Sequence, residues 1–244
     1  MTLLAHAIGR AMSAEPPSTG LRGRPLRRIA PEGRALGLWA TGWDGPPGPL
    51  GRDDALGHHA IVAAIAAAGP CLPVRFGSWV ANEAAAAALL AGRLDALEAA
   101  LARVTGRSEL AVTLLWQHRR ATPDRTPAAA PPASGAILAG PGPGRRFLED
   151  RRRDLGEAGT RHAAAEALAD RFVSLLGNLG IDQADVRQDI CPAAEVALSL
   201  SVLVPDARAL QVKAAARRLG GALEGVRGVV SGPWPPYSFT AELA

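Results

Sequence analysis

Lysine, tyrosine and cysteine are scarce in this 244-residue sequence, and aromatic residues make up only 4% of it. Lys213 is the only lysine, so arginine supplies almost all of the positive charge. The net charge is +4, and the excess of arginine lies within residues 1–34. A nucleic-acid-binding protein usually presents a basic face on a recognisable module. One short arginine-bearing segment is therefore weak support for that class of partner.

Long apolar runs are also missing. The run Ala60–Ala68 is far shorter than the roughly 20 residues that a transmembrane helix needs. The N-terminus has no secretory pattern of charged segment, apolar core and cleavage site. Cys71 and Cys191 are far apart and form no CxxC motif. They fit buried, reduced residues of a cytosolic protein, although the sequence leaves a disulfide open. We expect a soluble, cytoplasmic protein.

The motifs of common catalytic and cofactor sites are absent. None of the five histidines lies in an HExxH pattern or beside a cysteine pair, which argues against a zinc site. No GxSxG nucleophile elbow occurs. In the glycine-rich stretch 140–144, prolines interrupt the run of N–H donors that a phosphate loop requires. We predict that the chain is not an enzyme and that it binds no cofactor, metal or small-molecule substrate.

Helical and strand periodicities alternate along the chain, which is typical of an α+β fold. In the first half they predict strands at Leu3–Ile8, Pro25–Ile29, Ala35–Ala40, Leu72–Phe76 and Glu109–Trp116, and helices from Asp53 to Gly69 and over Ala84–Val104. In the second half they predict helices at Arg145–Gly177 and Pro205–Leu219 and strands at Val196–Val204 and Gly228–Ser231. A break in the long helix near Gly156–Thr160 stays open. His58 lies on the apolar face of its helix, so we expect a hydrogen-bonded core histidine.

The stretch between these halves is rich in proline, alanine and glycine. We therefore predict an N-terminal α+β domain over residues 1–118, a linker over 119–144 and a C-terminal α+β domain over 145–244. The second domain could be ferredoxin-like, a shape also used by RNA-recognition domains, which stack bases on strand aromatics. Val196–Val204 has no aromatic residue. A basic nucleic-acid-binding module of this shape remains the alternative function.

The most distinctive stretch is Gly232–Phe239, with three prolines and three aromatic residues in eight positions. Proline donates no N–H and restricts the residue before it. We predict an extended, polyproline-like segment that is neither helical nor paired in a ladder. With about three residues per turn, Trp234 and Tyr237 would point the same way. Two roles stay open: a docking surface, or a clip whose rings pack on their own domain.

Three motifs together resemble the gas vesicle protein family GvpF/GvpL. Gly232–Phe239 is similar to the closing GPWPPYSF motif of the family. The stretch 58–78 is similar to its His-led helix followed by G-P-x-L-P-x-R-F-G. A weaker likeness relates 20–26 and 35–40 to its early strand pair. The chain departs from the family pattern at His59, where an acidic residue is frequent, and in an opening strand without tyrosine.

The resemblance implies a two-domain α+β protein whose C-terminal domain has a modified ferredoxin-like fold. It implies a non-enzymatic accessory role in building gas vesicles, the gas-filled shells that give buoyancy, as an assembly factor or minor structural component. The implied partners are the small hydrophobic shell protein and other gas vesicle accessory proteins, with no nucleic acid or membrane. The implied location is the gas vesicle and the cytoplasm.

Five residues are candidates for partner contact or belong to the family signature. They are Trp234, Tyr237, Phe239, Arg75 and Phe76. The first three belong to the closing motif, and the other two to the predicted strand after Gly69-Pro70, whose edge a partner could use. Arg75 is expected either to form a buried pair with a carboxylate or to lie at the partner interface.

Overall fold

The computed structural model describes residues 1–11, 17–117, 143–189 and 195–240. The predicted linker 119–144 lies outside the described residues except for its last two positions, and Cys191 also lies outside them. The described chain combines helices with two antiparallel sheets, so the predicted α+β class is confirmed. No helix in the described ranges is long and apolar enough to cross a membrane.

The first sheet contains five strands from the N-terminal half. They are β1 (Thr2–Arg10), β2 (Leu26–Ile29), β3 (Leu36–Trp43), β4 (Cys71–Pro73) and β5 (Trp79–Val80). Their order is β2-β3-β1-β4, and β5 also pairs with β1. β1 is buried from Leu3 to Ile8 on both faces, which explains why its sequence is nearly continuously apolar instead of alternating.

Helices cover both faces of this sheet. They are α1 (Arg52–Ala68), α2 (Glu83–Ala91) and α3 (Leu94–Val104). On one face Leu4 packs in a cluster with Ile65 of α1. On the other face Leu3 packs in a cluster with Leu90 of α2 and Leu97 of α3. Successive strand residues point to opposite faces, so one strand supplies both clusters.

The helix predicted over Ala84–Val104 is in fact two helices. The first ends at Ala91 and the second begins at Leu94. Gly92 lies at the break, and glycine is a poor residue for a helix interior. The prediction of one helix was wrong because the apolar spacing continues through the break, while the backbone does not.

The second sheet contains four strands. They are β6 (Arg107–Trp116), β7 (Val186–Asp189), β8 (Val196–Pro205) and β9 (Val226–Trp234). The order is β7-β8-β6-β9, with every described pair antiparallel. The predicted strand Glu109–Trp116 was expected in the N-terminal half, but β6 pairs with β8 and β9 from the C-terminal half. The division into domains stays a prediction.

Two helices pack on one face of the second sheet, α4 (Pro143–Gly177) and α5 (Ala209–Ala222). Phe172 of α4 and Val212 of α5 meet Val112 and Leu200 of the strands in one apolar cluster. α4 is continuous, so no break occurs where the sequence left one open. β9 is longer than predicted, because the strand continues through Pro233 to Trp234.

Gly220 of α5 and Gly228 of β9 set how closely this helix approaches the sheet. A Cβ on Gly228 would lie only 2.7 Å from the Cα of Gly220. We expect Gly228→Ala to lower the free energy of unfolding by about 1–3 kcal/mol, because a backbone, not a flexible side chain, must move. Denaturant unfolding at equilibrium measures this loss.

The control is Gly221→Ala, which changes the residue that follows Gly220 in α5. A Cβ at Gly221 meets nothing within 4 Å. Alanine has a higher helical propensity than glycine, so this variant should be neutral or more stable by up to about 1 kcal/mol. If Gly228→Ala unfolded at the same denaturant concentration as the wild type, the close approach would not limit this position.

Candidate functional site

The last described residues form a segment that leaves the second sheet and returns to the first. We call Pro233–Thr240 the terminal segment. Trp234 is still paired with Glu109 of β6, and Tyr237–Phe239 forms a short 3-10 turn. The prediction that these residues are neither ladder-paired nor helical is therefore wrong, because only the two intervening prolines break the regular structure.

Trp234 and Tyr237 both meet His59 of α1. The His59 and Trp234 ring centroids are 5.2 Å apart with an edge-on geometry. The His59 and Tyr237 centroids are 6.0 Å apart, and the Tyr237 hydroxyl lies 3.2 Å from His59 Nδ1. Burial raises the pKa of that hydroxyl, and Cys71 and Glu109 add to the effect. The two rings thus approach one residue, although the polyproline-like geometry from which a common direction was predicted does not form.

Glu109 anchors the middle of the terminal segment. It is only 6% exposed. Its two carboxylate oxygens accept hydrogen bonds from the backbone N–H and the hydroxyl of Ser238, both at 2.8 Å. The same hydroxyl lies 2.8 Å from Ser201 Oγ of β8. A buried charge is costly unless it is hydrogen-bonded, so Glu109 holds the terminal segment against the centre of the second sheet.

Phe239 fastens the end of the terminal segment. It is 6% exposed and packs in the cluster that contains Leu203 of β8 and residues of the first sheet. The guanidinium carbon of Arg103 lies 5.5 Å from the ring centroid, and that of Arg187 lies 5.4 Å from it. Arg103 belongs to α3 and Arg187 to β7, so the ring is held between both halves of the chain.

Of the two other predicted contact residues, neither lies in a strand. β4 ends at Pro73, and the chain turns where Ser78 N–H donates to the Arg75 carbonyl at 3.2 Å. Gly77 has φ 84° in this turn, a conformation that favours glycine. Arg75 is exposed, so the expected buried carboxylate pair is wrong. Phe76 is half-buried and meets the His58 ring edge-on at 5.4 Å.

His58 is a core histidine, as predicted, and its partner is a second buried histidine. His6 Nδ1 and His58 Nδ1 are 2.9 Å apart, and both residues are at most 2% exposed. His58 Nε2 lies 3.1 Å from the Val74 carbonyl. His6 Nε2 lies 2.7 Å from Thr41 Oγ1, which also accepts the Leu21 N–H.

These contacts assign the protons of the pair. The Val74 carbonyl can only accept, so His58 donates from Nε2 and accepts at Nδ1 from His6. His6 Nε2 then accepts from the Thr41 hydroxyl. All four ring nitrogens are satisfied when both rings are neutral. Burial, together with the neighbouring His58, lowers the pKa of His6 to about 3. Burial lowers the pKa of His58 to about 4.

A cleft of about 490 Å³ opens beside Trp234. The C-terminal half of α1 lines it with Ala63, Ala66 and Ala67, and Pro233–Pro236 line it as well. Cys71 also lines it, and burial raises the pKa of this thiol to about 12.

Little charge faces this cleft. From Ala55 to Val74 the chain contains no aspartate, glutamate, lysine or arginine. The two charged residues of the lining are engaged, since Arg107 pairs with Asp185 at 2.7 Å and Asp206 accepts the Ser108 hydroxyl. Trp234, at the edge of the cleft, is 40% exposed. The part of the lining that α1 and Pro233–Pro236 supply suits an apolar partner.

Residues that could hold a metal ion do not cluster in the described ranges, where no group of three or more histidine, cysteine or acidic side chains occurs. Glu109, His6 and the alanine wall of the cleft were not predicted from the sequence. A single glutamate in a strand and a histidine in an apolar run carry no motif. The one signal available for the cleft was an absence: the stretch Ala55–Val74 contains no aspartate, glutamate, lysine or arginine.

Fold and site together define an α+β protein whose distinctive surface is a cleft with few charged groups beside an aromatic terminal segment. The chain belongs to the GvpL/GvpF family, since it matches the family described as "Gas vesicle synthesis protein GvpL/GvpF" over residues 5–241. The family recognised from the three motifs is thereby confirmed, and the protein is a gas vesicle-related one.

Solved structures similar to this chain include two crystal structures of GvpF. The crystal structure of GvpF from Microcystis aeruginosa aligns with a TM-score of 0.67 at 14% identity, covering 98% of both chains. That of GvpF from Anabaena sp. PCC7120 aligns with a TM-score of 0.65 at 17% identity, also covering 98% of both chains. At these identities the likeness shows the fold. No curated protein sequence matches the chain.

Proposed function

We propose that this chain is a non-enzymatic accessory protein that binds the hydrophobic shell protein during gas vesicle formation. It acts as an assembly factor or a minor structural component, together with other gas vesicle accessory proteins, in the cytoplasm and at the vesicle. The observation that carries this proposal is the exposed ring of Trp234 at the edge of the cleft, beside the alanine-rich wall of α1. Family membership supplies the process, and the cleft supplies a place for an apolar partner.

The physical need for such a surface follows from the nature of a gas-filled shell. A shell subunit must present apolar surface to the gas, and exposed apolar patches associate in water. A partner that covers the patch and later releases it needs apolar contact area and few charges. Trp234 offers a large ring beside small alanine side chains, which resembles the aromatic anchors that dominate many interfaces.

The domain organisation belongs to the same proposal. β6, α4, β7, β8, α5 and β9 follow one another along the chain, and their sheet order is β7-β8-β6-β9. This β-α-β-β-α-β connectivity supports a ferredoxin-like C-terminal domain. The pairing of β6 favours a boundary before Arg107 over one at residue 118. The terminal segment would then fasten this domain to the N-terminal one.

Capture of the shell protein tests the binding site. We expect Trp234→Ala, co-expressed with the shell protein, to capture at least about tenfold less of it, the loss that follows from removing about 1.4 kcal/mol at an interface anchor. Pull-down yield and the soluble fraction of the shell protein are the measurements. Circular dichroism confirms that the variant is folded.

Val229→Ala is the matched control, because Val229 is 42% exposed on the same strand and does not line the cleft. It should capture as much shell protein as the wild type. Unchanged capture by folded Trp234→Ala would remove Trp234 from the binding site. Failure of the wild type itself to capture the shell protein would instead contradict the proposed function.

A further inference from the structure

β9 is an edge strand, which makes its outer side a potential site of strand pairing. It lies at the end of the order β7-β8-β6-β9 within the described residues. Two of the exposed large hydrophobic residues, Val229 at 42% and Trp234 at 40%, lie on it. A long hydrophobic edge strand with free carbonyl and N–H groups is a template for pairing with another chain.

Two cations of α5 occupy carbonyls of β9. Lys213 Nζ donates a hydrogen bond to the Gly232 carbonyl. Arg217 Nη2 donates to the Val230 carbonyl at 3.2 Å. The two donors are four residues apart, so they lie on one face of the helix. Their acceptors are two residues apart, so both carbonyls point to the same edge of the strand.

The neighbouring position strengthens this arrangement. Pro233 follows Gly232 and has no N–H to offer an added strand. The Val230 and Gly232 carbonyls are thus occupied, and Pro233 supplies no N–H. Natural sheets protect their edges with charged side chains and proline in this way. Lys213 is the only lysine of the sequence, and its ammonium lies at this edge.

We propose that Lys213 and Arg217 guard the outer edge of β9 and prevent it from pairing with the same edge of a second copy of this chain. Two identical edges can pair antiparallel around a twofold axis. The second copy then presents the same edge as the first, and no other partner is needed. Removing the guards frees two carbonyls beside exposed Val229. The proposal is independent of shell-protein binding.

The test is the double variant Lys213→Met/Arg217→Met, which keeps the aliphatic parts of both side chains. We expect its dimerisation constant, measured by sedimentation over a range of protein concentrations, to tighten at least tenfold relative to the wild type. Amide exchange locates the contact, because the N–H of Val230, on the same edge as its carbonyl, should exchange more slowly in the dimer.

The matched control is Arg171→Met/Arg218→Met, which removes two exposed arginines and the same charge from α4 and α5. It should associate no more than the wild type. The swap Lys213→Arg/Arg217→Lys keeps two donors and should also match the wild type. If the double methionine variant fails to fold, each single variant should still dimerise more tightly. Folded methionine variants that associate like the control would overturn the proposal.

Discussion

Acidification from pH 7 to pH 4.5 is expected to lower the free energy of unfolding by several kcal/mol, and His6 and His58 are the principal cause. The ordinary pKa of histidine is 6.5, whereas that of His6 is about 3 and that of His58 is about 4 in the folded protein. Below pH 6.5 these two histidines therefore bind protons in the unfolded chain but stay neutral in the folded protein. Each histidine contributes a slope of about 1.4 kcal/mol per pH unit in this window.

The direction of the effect follows from the hydrogen bonds. In their neutral forms, both rings have a hydrogen-bond partner at each nitrogen, with Val74 at one end of the pair and Thr41 at the other. A proton added at His58 Nδ1 would face the N–H of His6 across 2.9 Å. The stabilising contribution of the two histidines is therefore fully present above pH 6.5. It is lost as the pH falls towards their pKa values in the folded protein, about 4 for His58 and about 3 for His6. The carboxyl of Asp54, whose pKa the Arg22 hydrogen bond lowers to about 2, loses its contribution only at still lower pH.

Urea unfolding at a series of pH values measures this slope. His6→Gln, which removes one titrating group, should reduce the slope between pH 6.5 and 4.5 by about half, whatever its stability at pH 7. His162→Gln is the control, because that side chain is 49% exposed and lies outside the pair. A slope that His6→Gln leaves unchanged would show that other groups carry the acid sensitivity.

The histidine pair shows how far the sequence alone can lead. The apolar face of α1 predicted that His58 is buried, because helical spacing is a local property. Its partner His6 is 52 positions away in β1. No local pattern gives the register that brings them together. The role of Glu109 was not predicted for the same reason, because its hydrogen-bond partner Ser238 is 129 positions away.

Strands and helices were predictable where their period was unambiguous. β8 alternates from Leu198 to Val202 and was placed within one residue of its observed end. β4 is shorter than predicted because the turn at Gly77 removes Arg75 and Phe76 from the sheet. Strand partners were not predictable. The sequence of β6 does not indicate which sheet the strand joins. Its pairing with β8 and β9 brings together residues that are far apart in the chain.

The terminal segment illustrates a different limit. Its motif was enough to recognise the family, but three aromatic residues in eight positions do not tell which ring supports the fold and which is available to a partner. Burial separates them. Phe239 is 6% exposed and Trp234 is 40% exposed, while Tyr237 is half-buried and bonded to His59. Phe239 therefore acts as the clip, and the proposed docking role rests on Trp234, whose ring is exposed.

Phe239→Ala is expected to lower the free energy of unfolding by about 3–5 kcal/mol, the usual loss for a phenylalanine truncated inside a core. The ring fills a cluster shared with Leu203 and lies between Arg103 and Arg187. Its removal leaves a cavity at the point where the terminal segment joins both halves. Thermal and denaturant unfolding measure the loss, and limited proteolysis should cut the terminal segment faster.

Trp234→Ala is the natural comparison, because it changes a larger ring in the same segment. With 40% of that residue exposed, its loss should cost about 1–3 kcal/mol, less than the loss of Phe239, because only part of the ring is removed from water and the contact with His59 adds to that burial. The two variants should therefore separate, with Phe239→Ala impairing folding and Trp234→Ala impairing capture of the shell protein. Equal losses of stability would mean that Trp234 supports the fold as much as Phe239 does, and the whole motif would then act as a clip.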